Sequence, residues 1–270
     1  MMKRTRKEKV VILCGGGGTR IREETEFRPK PMVEIGHKPL LWHIMKIYSF
    51  YGFNDFVLCL GYKGEMIKEY FLNYELLNSD FTIEVGADNK NIRVHNAHHK
   101  DRWKVTLADT GLNAMTGARV KTVEPYIDTD NFMLTYGDGV ANIDLNRLMA
   151  YHLSHKKVAT ITGVRPPSRF GELITCRDEV TEFSEKPQVR EGYINGGFFV
   201  FTRKVFDYLI SDEDCILERA PLERLAKDGQ LKVFFHDAYW QCMDTLRDLD
   251  ILEQDWQGGS PPWKVWEDHG

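Results

Sequence analysis

The chain has 270 residues, 42% hydrophobic and 12% aromatic, enough to bury one large core and better suited to one α/β domain than to two. Its 36 Lys and Arg against 40 Asp and Glu give a net charge of −4, which argues against a nucleic-acid partner but leaves room for a small phosphorylated ligand. No run approaches the ~18 consecutive apolar residues of a membrane span, and five scattered cysteines without a C-x-x-C pair fit reduced thiols in a cytoplasm and no structural zinc.

The basic start, residues 1–9, reads as a solvated terminus. Val10-Val11-Ile12-Leu13 predicts a buried strand that runs into Cys14 and the glycines Gly15, Gly16, Gly17 and Gly18. A glycine turn after a strand brings backbone N–H groups close to a phosphate or a base, and Thr19-Arg20 adds a cation of fork geometry. It is not a P-loop, since no Gly-Lys-Ser/Thr follows, and it lacks the spacing of the dinucleotide fingerprint. A tight structural turn with a surface Arg is the plainer reading of this segment alone. Further on, Pro29 and Pro31 fix the backbone on both sides of Lys30. Arg20 and Lys30 together read as an electropositive clamp for a polyphosphate.

Residues 39–50 predict a helix with Leu40, Leu41, Ile44, Met45, Ile47 and Tyr48 on a wide apolar face. Residues 55–60 predict a strand closed by Gly61, and a helix from Gly64 carries Ile67, Tyr70, Phe71 and Tyr74. The histidines His95, His98 and His99, near Lys100, Arg102 and Lys104, lack the carboxylate or cysteine spacing of a metal site and read as a solvated or subunit-contact loop.

Residues 132–136 predict another strand, ending at Gly137-Asp138-Gly139. That turn presents a carboxylate in the open, where a hard divalent cation has access; an Asx-turn is the structural alternative. Asp144 caps a helix with Leu145, Leu148, Met149 and Leu153 on one face. Short strands are expected over 158–164, 180–183 and 198–201, with Glu185-Lys186-Pro187 after the second and Asn195-Gly196-Gly197 before the third. Pro221 opens a helix with Leu222 and Leu225 inward and Gly229 at its end. Thr245 and Asp248 have capping-box spacing ahead of Leu249, Leu252 and Trp256. Strands alternating with helices predict an α/β fold with a mostly parallel sheet covered on both faces. Both glycine turns follow strands, where open α/β sheets bind their ligands.

Gly-Gly-x-Gly-Thr-Arg followed by Pro-Lys-Pro resembles the signature of the sugar-phosphate nucleotidyltransferases. The likeness runs from about residue 9 to 267, through Gly61-Tyr62-Lys63-Gly64, Asp109-Thr110-Gly111, Met115-Thr116-Gly117, Tyr136-Gly137-Asp138-Gly139, Glu185-Lys186-Pro187, Asn195-Gly196-Gly197 and Met243-Asp244-Thr245, and is similar to the glucose-1-phosphate cytidylyltransferases in particular. The chain departs from that pattern at Cys14 (usually Ala), Gly17 (Leu), Ile21 (Leu), Ala118 (Gly) and Cys242 (Pro); Gly17 loosens the loop.

The resemblance implies a Rossmann-like mixed sheet of the nucleotide-diphospho-sugar transferase type, in one domain over 9–257 with a nucleotide-binding first half, a sugar-phosphate-binding second half and a C-terminal tail over 258–270. It implies transfer of CMP from CTP to glucose 1-phosphate with Mg²⁺, in a cytoplasmic homo-oligomer. Arg20, Lys30 and Asp138 are the implied catalytic residues, and Asp138 and Asp244 the metal ligands. Leu13, Cys14, Gly15 to Thr19, Arg20, Lys30, Thr110, Gly111, Arg119 and Gly137 would hold the nucleotide, with Arg119 offering donors to the base. Glu185, Lys186, Asn195 and Gly197 would hold the sugar phosphate. The same chemistry with UTP or dTTP, and a non-catalytic nucleotide-sugar sensor on the same fold, are the alternatives.

Overall fold

A computed structural model of the chain describes residues 6–18, 22–86, 91–95, 101–166, 172–176, 179–184 and 192–267. Its main sheet has seven strands: Val10–Leu13 (β1), Asp55–Leu60 (β2), Lys104–Asp109 (β3), Asn131–Tyr136 (β4), Ala159–Val164 (β5), Ile194–Thr202 (β6) and Leu231–His236 (β7). They lie in the order β7-β5-β6-β4-β1-β2-β3. β1 runs parallel to β2 and β4, β2 to β3, and β5 to β7, while β6 is antiparallel to both β4 and β5. The mixed, mostly parallel sheet expected from the sequence is therefore present.

β1 is central because its four apolar residues feed both faces. Val10 and Ile12 belong to one core cluster and Val11 and Leu13 to the other, as alternation along a strand dictates. The first cluster is closed by the helices Leu40–Phe50 (α1), Leu145–His155 (α4) and Leu246–Gln257 (α6), the second by Thr116–Thr122 (α3) and Ala220–Lys227 (α5). Gly64–Leu72 (α2) adds Ile67 to the first. The caps follow the sequence: Asp144 accepts from the backbone N–H groups of Asn146 and Arg147, and Thr245 and Asp248 form a reciprocal capping box.

All six expected apolar residues of α1 are buried, and so is His43. Trp256 and Trp263 stand edge-on to the His43 ring, and its Nε2 lies 2.9 Å from the carbonyl of Ile35. Burial lowers its pKa to about 4, so it sits in the core as a neutral ring. Trp263 and Trp266 come from the segment expected to be a tail beyond residue 257. That boundary is corrected: 258–267 packs into the first core cluster, and the domain extends at least that far. Leu153 is a second correction, since it is exposed. The inward place in the last turn of α4 goes to His152, buried 2.8 Å from Thr160 Oγ1 and 3.2 Å from Asn131 Oδ1. Among the described residues, no helix is long and apolar enough to cross a membrane.

Candidate active site

Two cavities open on the carboxyl-terminal side of the central strands, and one pair of carboxylates borders both. The first, about 440 Å³, is lined by Leu13, Cys14, Gly15, Gly16 and Gly18 after β1, by Lys30, by Arg119 and by Gly137 and Asp138 after β4. The second, about 840 Å³, is lined by Asn195, Gly197, Trp240, Cys242 and Arg247. Tyr136, Asp138 and Asp244 line both.

Local structure explains why the two carboxylates meet. Gly139–Ala141 and Trp240–Cys242 form a short antiparallel ribbon, pairing Cys242 with Gly139, and the Met243 N–H donates to the Asp138 carbonyl at 2.8 Å. Asp138 and Asp244 thus leave the same end of one ribbon. The capping box of α6 holds the second of them, because Asp248 Oδ2 also accepts from the Asp244 N–H at 3.0 Å. Gly137 brings this turn onto the Lys30 segment, where a Cβ would collide with the Leu13 carbonyl and the Pro31 ring. Lys30 begins a 3-10 turn between Pro29 and Pro31, and its Nζ donates to Asp138 Oδ2 at 2.7 Å and to Asp244 Oδ1 at 2.6 Å. Burial pulls the Lys30 pKa down, but the two carboxylates outweigh it and the net shift is upward. Burial, then the Asp244 and Asp138 charges, push the nearby Cys242 thiol up to about 12, so it stands as a neutral thiol.

Two carboxylate oxygens converging on one cation-sized point fit a divalent ion, which takes one or two protein carboxylates and fills its shell with phosphate oxygens and water. Among the described residues no cluster of three or more His, Cys, Asp or Glu offers a fuller cage.

Arg119 works behind the glycine loop. Its Nη1 donates to the Leu60 carbonyl at 3.0 Å, to Thr110 Oγ1 at 2.8 Å and to the Gly111 carbonyl at 2.8 Å. Its Nη2 reaches the carbonyls of Gly15 at 3.0 Å and Leu112 at 3.3 Å. The donors that the sequence reading offered to a base hold backbone instead, so the expected role of Arg119 is revised from reader to clasp. It ties the ends of β1, β2 and β3, and a Cβ on Gly15 or Gly61 would collide with its guanidinium. Thr110 and Gly111 belong to this clasp rather than to the cavity wall. Arg119→Ala is expected to lower unfolding free energy by about 2–4 kcal/mol, because several buried carbonyls lose their donor at once. Urea denaturation measures this, and an unchanged midpoint would contradict the clasp.

Thr19, Arg20, Glu185 and Lys186 lie outside the described residues. Asn195 and Gly197 line the second cavity. Asn195 Nδ2 donates to the Tyr136 hydroxyl at 2.9 Å, and its Oδ1 accepts from the Gly197 N–H at 2.9 Å. Gly197 has φ 79° and lies against the Tyr136 ring, which a Cβ would strike. The structure adds a residue that no motif announced. Glu218 accepts from the Tyr136 hydroxyl and from Thr116 Oγ1, each at 2.5 Å, joining the wall of the second cavity to the start of α3 in the first.

The family model described as Nucleotidyl transferase matches residues 9–268. The glucose-1-phosphate cytidylyltransferase of Salmonella typhimurium is 50% identical over 262 residues, covering 96% of this chain and 100% of that protein. The probable glucose-1-phosphate cytidylyltransferase of Bacillus subtilis is 46% identical over 258 residues, with 96% and 100% covered. Among solved structures, a UDP-glucose pyrophosphorylase complexed with UDP-glucose superposes with a TM-score of 0.67 at 14% identity, over 93% of this chain and 99% of that one. HddC from Yersinia pseudotuberculosis does so with 0.64 at 24% identity, over 92% and 99%; both show the shared fold. Matched along nearly its whole length, this chain belongs to the nucleotidyl transferase family.

Proposed function

We propose that this chain transfers the CMP unit of CTP to glucose 1-phosphate, releasing pyrophosphate and forming CDP-glucose. The observation that carries this is the carboxylate pair shared by two cavities, one floored by a glycine loop and one large enough for a hexose phosphate. The relatives named glucose-1-phosphate cytidylyltransferase support the choice of both substrates.

In this reading a phosphate oxygen of glucose 1-phosphate, placed in the second cavity, attacks the α-phosphorus of CTP in line. The new P–O bond forms as the bond to the β-phosphate oxygen breaks, and the electron pair leaves with pyrophosphate. No proton need move, and catalysis is positioning plus charge neutralisation. The N–H groups of the glycine loop, with Arg20 and Lys30, take up the charge growing on the departing pyrophosphate. Glu185 holds sugar hydroxyls, Lys186 orients the attacking phosphate, and Asn195 and Gly197 form the surface against which the hexose lies. Asp138 and Asp244 would hold a magnesium ion, which would supply positive charge to the phosphate oxygens. We place the enzyme in the cytoplasm as a homo-oligomer; exposed Phe81, Ile83, Val85, Ile92 and Val94 on one hairpin support self-association.

The direct test incubates the full chain with Mg²⁺, CTP and glucose 1-phosphate and follows pyrophosphate and nucleotide-sugar by chromatography and mass. The expected result is one CDP-glucose per pyrophosphate, with both products absent when either substrate is omitted. Pyrophosphate release that ignores glucose 1-phosphate would overturn the reading.

A further inference from the structure

Lys30 does more here than point at a pocket. Its ammonium lies on the two carboxylate oxygens that a divalent ion needs, 2.7 Å from Asp138 Oδ2 and 2.6 Å from Asp244 Oδ1. Like charges exclude one another, so one point between two oxygens accommodates the ammonium or the ion, not both. We propose that Lys30 is the resident counter-ion of the Asp138–Asp244 pair in the nucleotide-free protein. The divalent ion gains both carboxylates only when nucleotide phosphates draw the Lys30 ammonium towards the glycine loop. The inference rests on the reading of this pair as the metal ligands.

Three features support it. The Lys30 side chain is only 12% exposed, while Asp138 and Asp244 keep 31% and 26% of theirs. An ammonium so enclosed does not leave its carboxylates without a new anion to meet it. Such an anion has a place beside it, because Lys30 lines the first cavity with Gly15, Gly16 and Gly18. Its backbone is held in the 3-10 turn behind Pro29, so the exchange needs only rotation of a flexible four-carbon stem. With the Lys30 ammonium in place, a divalent ion does not gain both carboxylates before the nucleotide enters.

The test titrates Mn²⁺, a spectroscopic stand-in for Mg²⁺, into the full chain and reads free ion by electron paramagnetic resonance, with and without α,β-methylene CTP. Native protein should bind Mn²⁺ weakly alone and tightly with the analogue. Lys30→Met should bind Mn²⁺ at least tenfold tighter than native protein without nucleotide, and adding Asp138→Asn should abolish that gain. Lys30→Gln, which also removes the charge, provides a second variant should Lys30→Met not fold, with thermal melting as the control for both. Equal tight binding by native protein and Lys30→Met without nucleotide, lost in Asp138→Asn, would overturn the proposal and leave the metal ligands standing. No binding by any protein even with the analogue would remove the metal reading and the proposal with it.

Discussion

Asp138→Asn is expected to abolish turnover while leaving the fold intact. The substitution keeps the shape of the side chain and removes the charge from the turn that follows β4. It thereby takes one of two carboxylates from the point where the cavities meet. Losing an electrostatic contact of this kind costs about 3 kcal/mol or more, roughly 10²-fold in rate. Stability should change little, because Asp138 is part-exposed and the Lys30 ammonium keeps Asp244 as partner. Turnover at saturating Mg²⁺, with circular dichroism and thermal melting alongside, separates the two effects. A variant that keeps most of its activity would remove Asp138 from the reaction.

Lys186→Ala is expected to damage use of the sugar phosphate far more than use of CTP. Lys186 lies outside the described residues, so its role rests on the Glu-Lys-Pro resemblance and on its place shortly after the strand Glu179–Ser184. A charge-assisted contact is worth about 1.5–3 kcal/mol, or roughly 10- to 100-fold. The KM for glucose 1-phosphate should rise and kcat fall, since the attacking oxygen loses its aim, while the KM for CTP stays near its native value. Equal rises in both Michaelis constants at constant kcat would show that Lys186 touches neither substrate selectively.

Local patterns made the central part of the fold legible. Val10-Val11-Ile12-Leu13 and the 55–60 run are strands because they are apolar on both faces, and the structure buries them between two clusters. β3 and β7 are not legible in the sequence because they are the sheet edges, only partly buried, and mix Lys with their apolar residues. The Trp263 and Trp266 segment reads as a tail because its sequence has no period. Its packing against His43 and α6 is a tertiary fact, as is the burial of His43 itself.

The site divides the same way. Asp138 is marked by glycines on both sides and Lys30 by prolines on both sides, so backbone chemistry advertises them. The meeting of Lys30, Asp138 and Asp244 spans more than two hundred residues and depends on the ribbon that pairs Cys242 with Gly139. Nothing in the local sequence reports that contact. Arg119 illustrates the opposite failure: a residue type suited to reading a base turns inward once its neighbours prove to be backbone carbonyls. Glu218 had no flanking signal, and only its two short bonds to Tyr136 and Thr116 reveal it.

The most direct test of CMP transfer by this chain is kcat/KM for CTP, UTP and dTTP at saturating glucose 1-phosphate. Uracil and thymine reverse cytosine at N3 and at position 4, exchanging acceptor for donor and donor for acceptor. A site shaped for cytosine would leave two polar groups unpaired, at about 1–3 kcal/mol each. Sites that recognise a base through hydrogen bonds reject the wrong one by orders of magnitude. CTP is expected to be preferred over both others by roughly 10²-fold or more. Comparable values for CTP and UTP would show that the cavity beside the glycine loop does not read the position-4 amino group, and the transfer of CMP would have to be given up as the function of this chain.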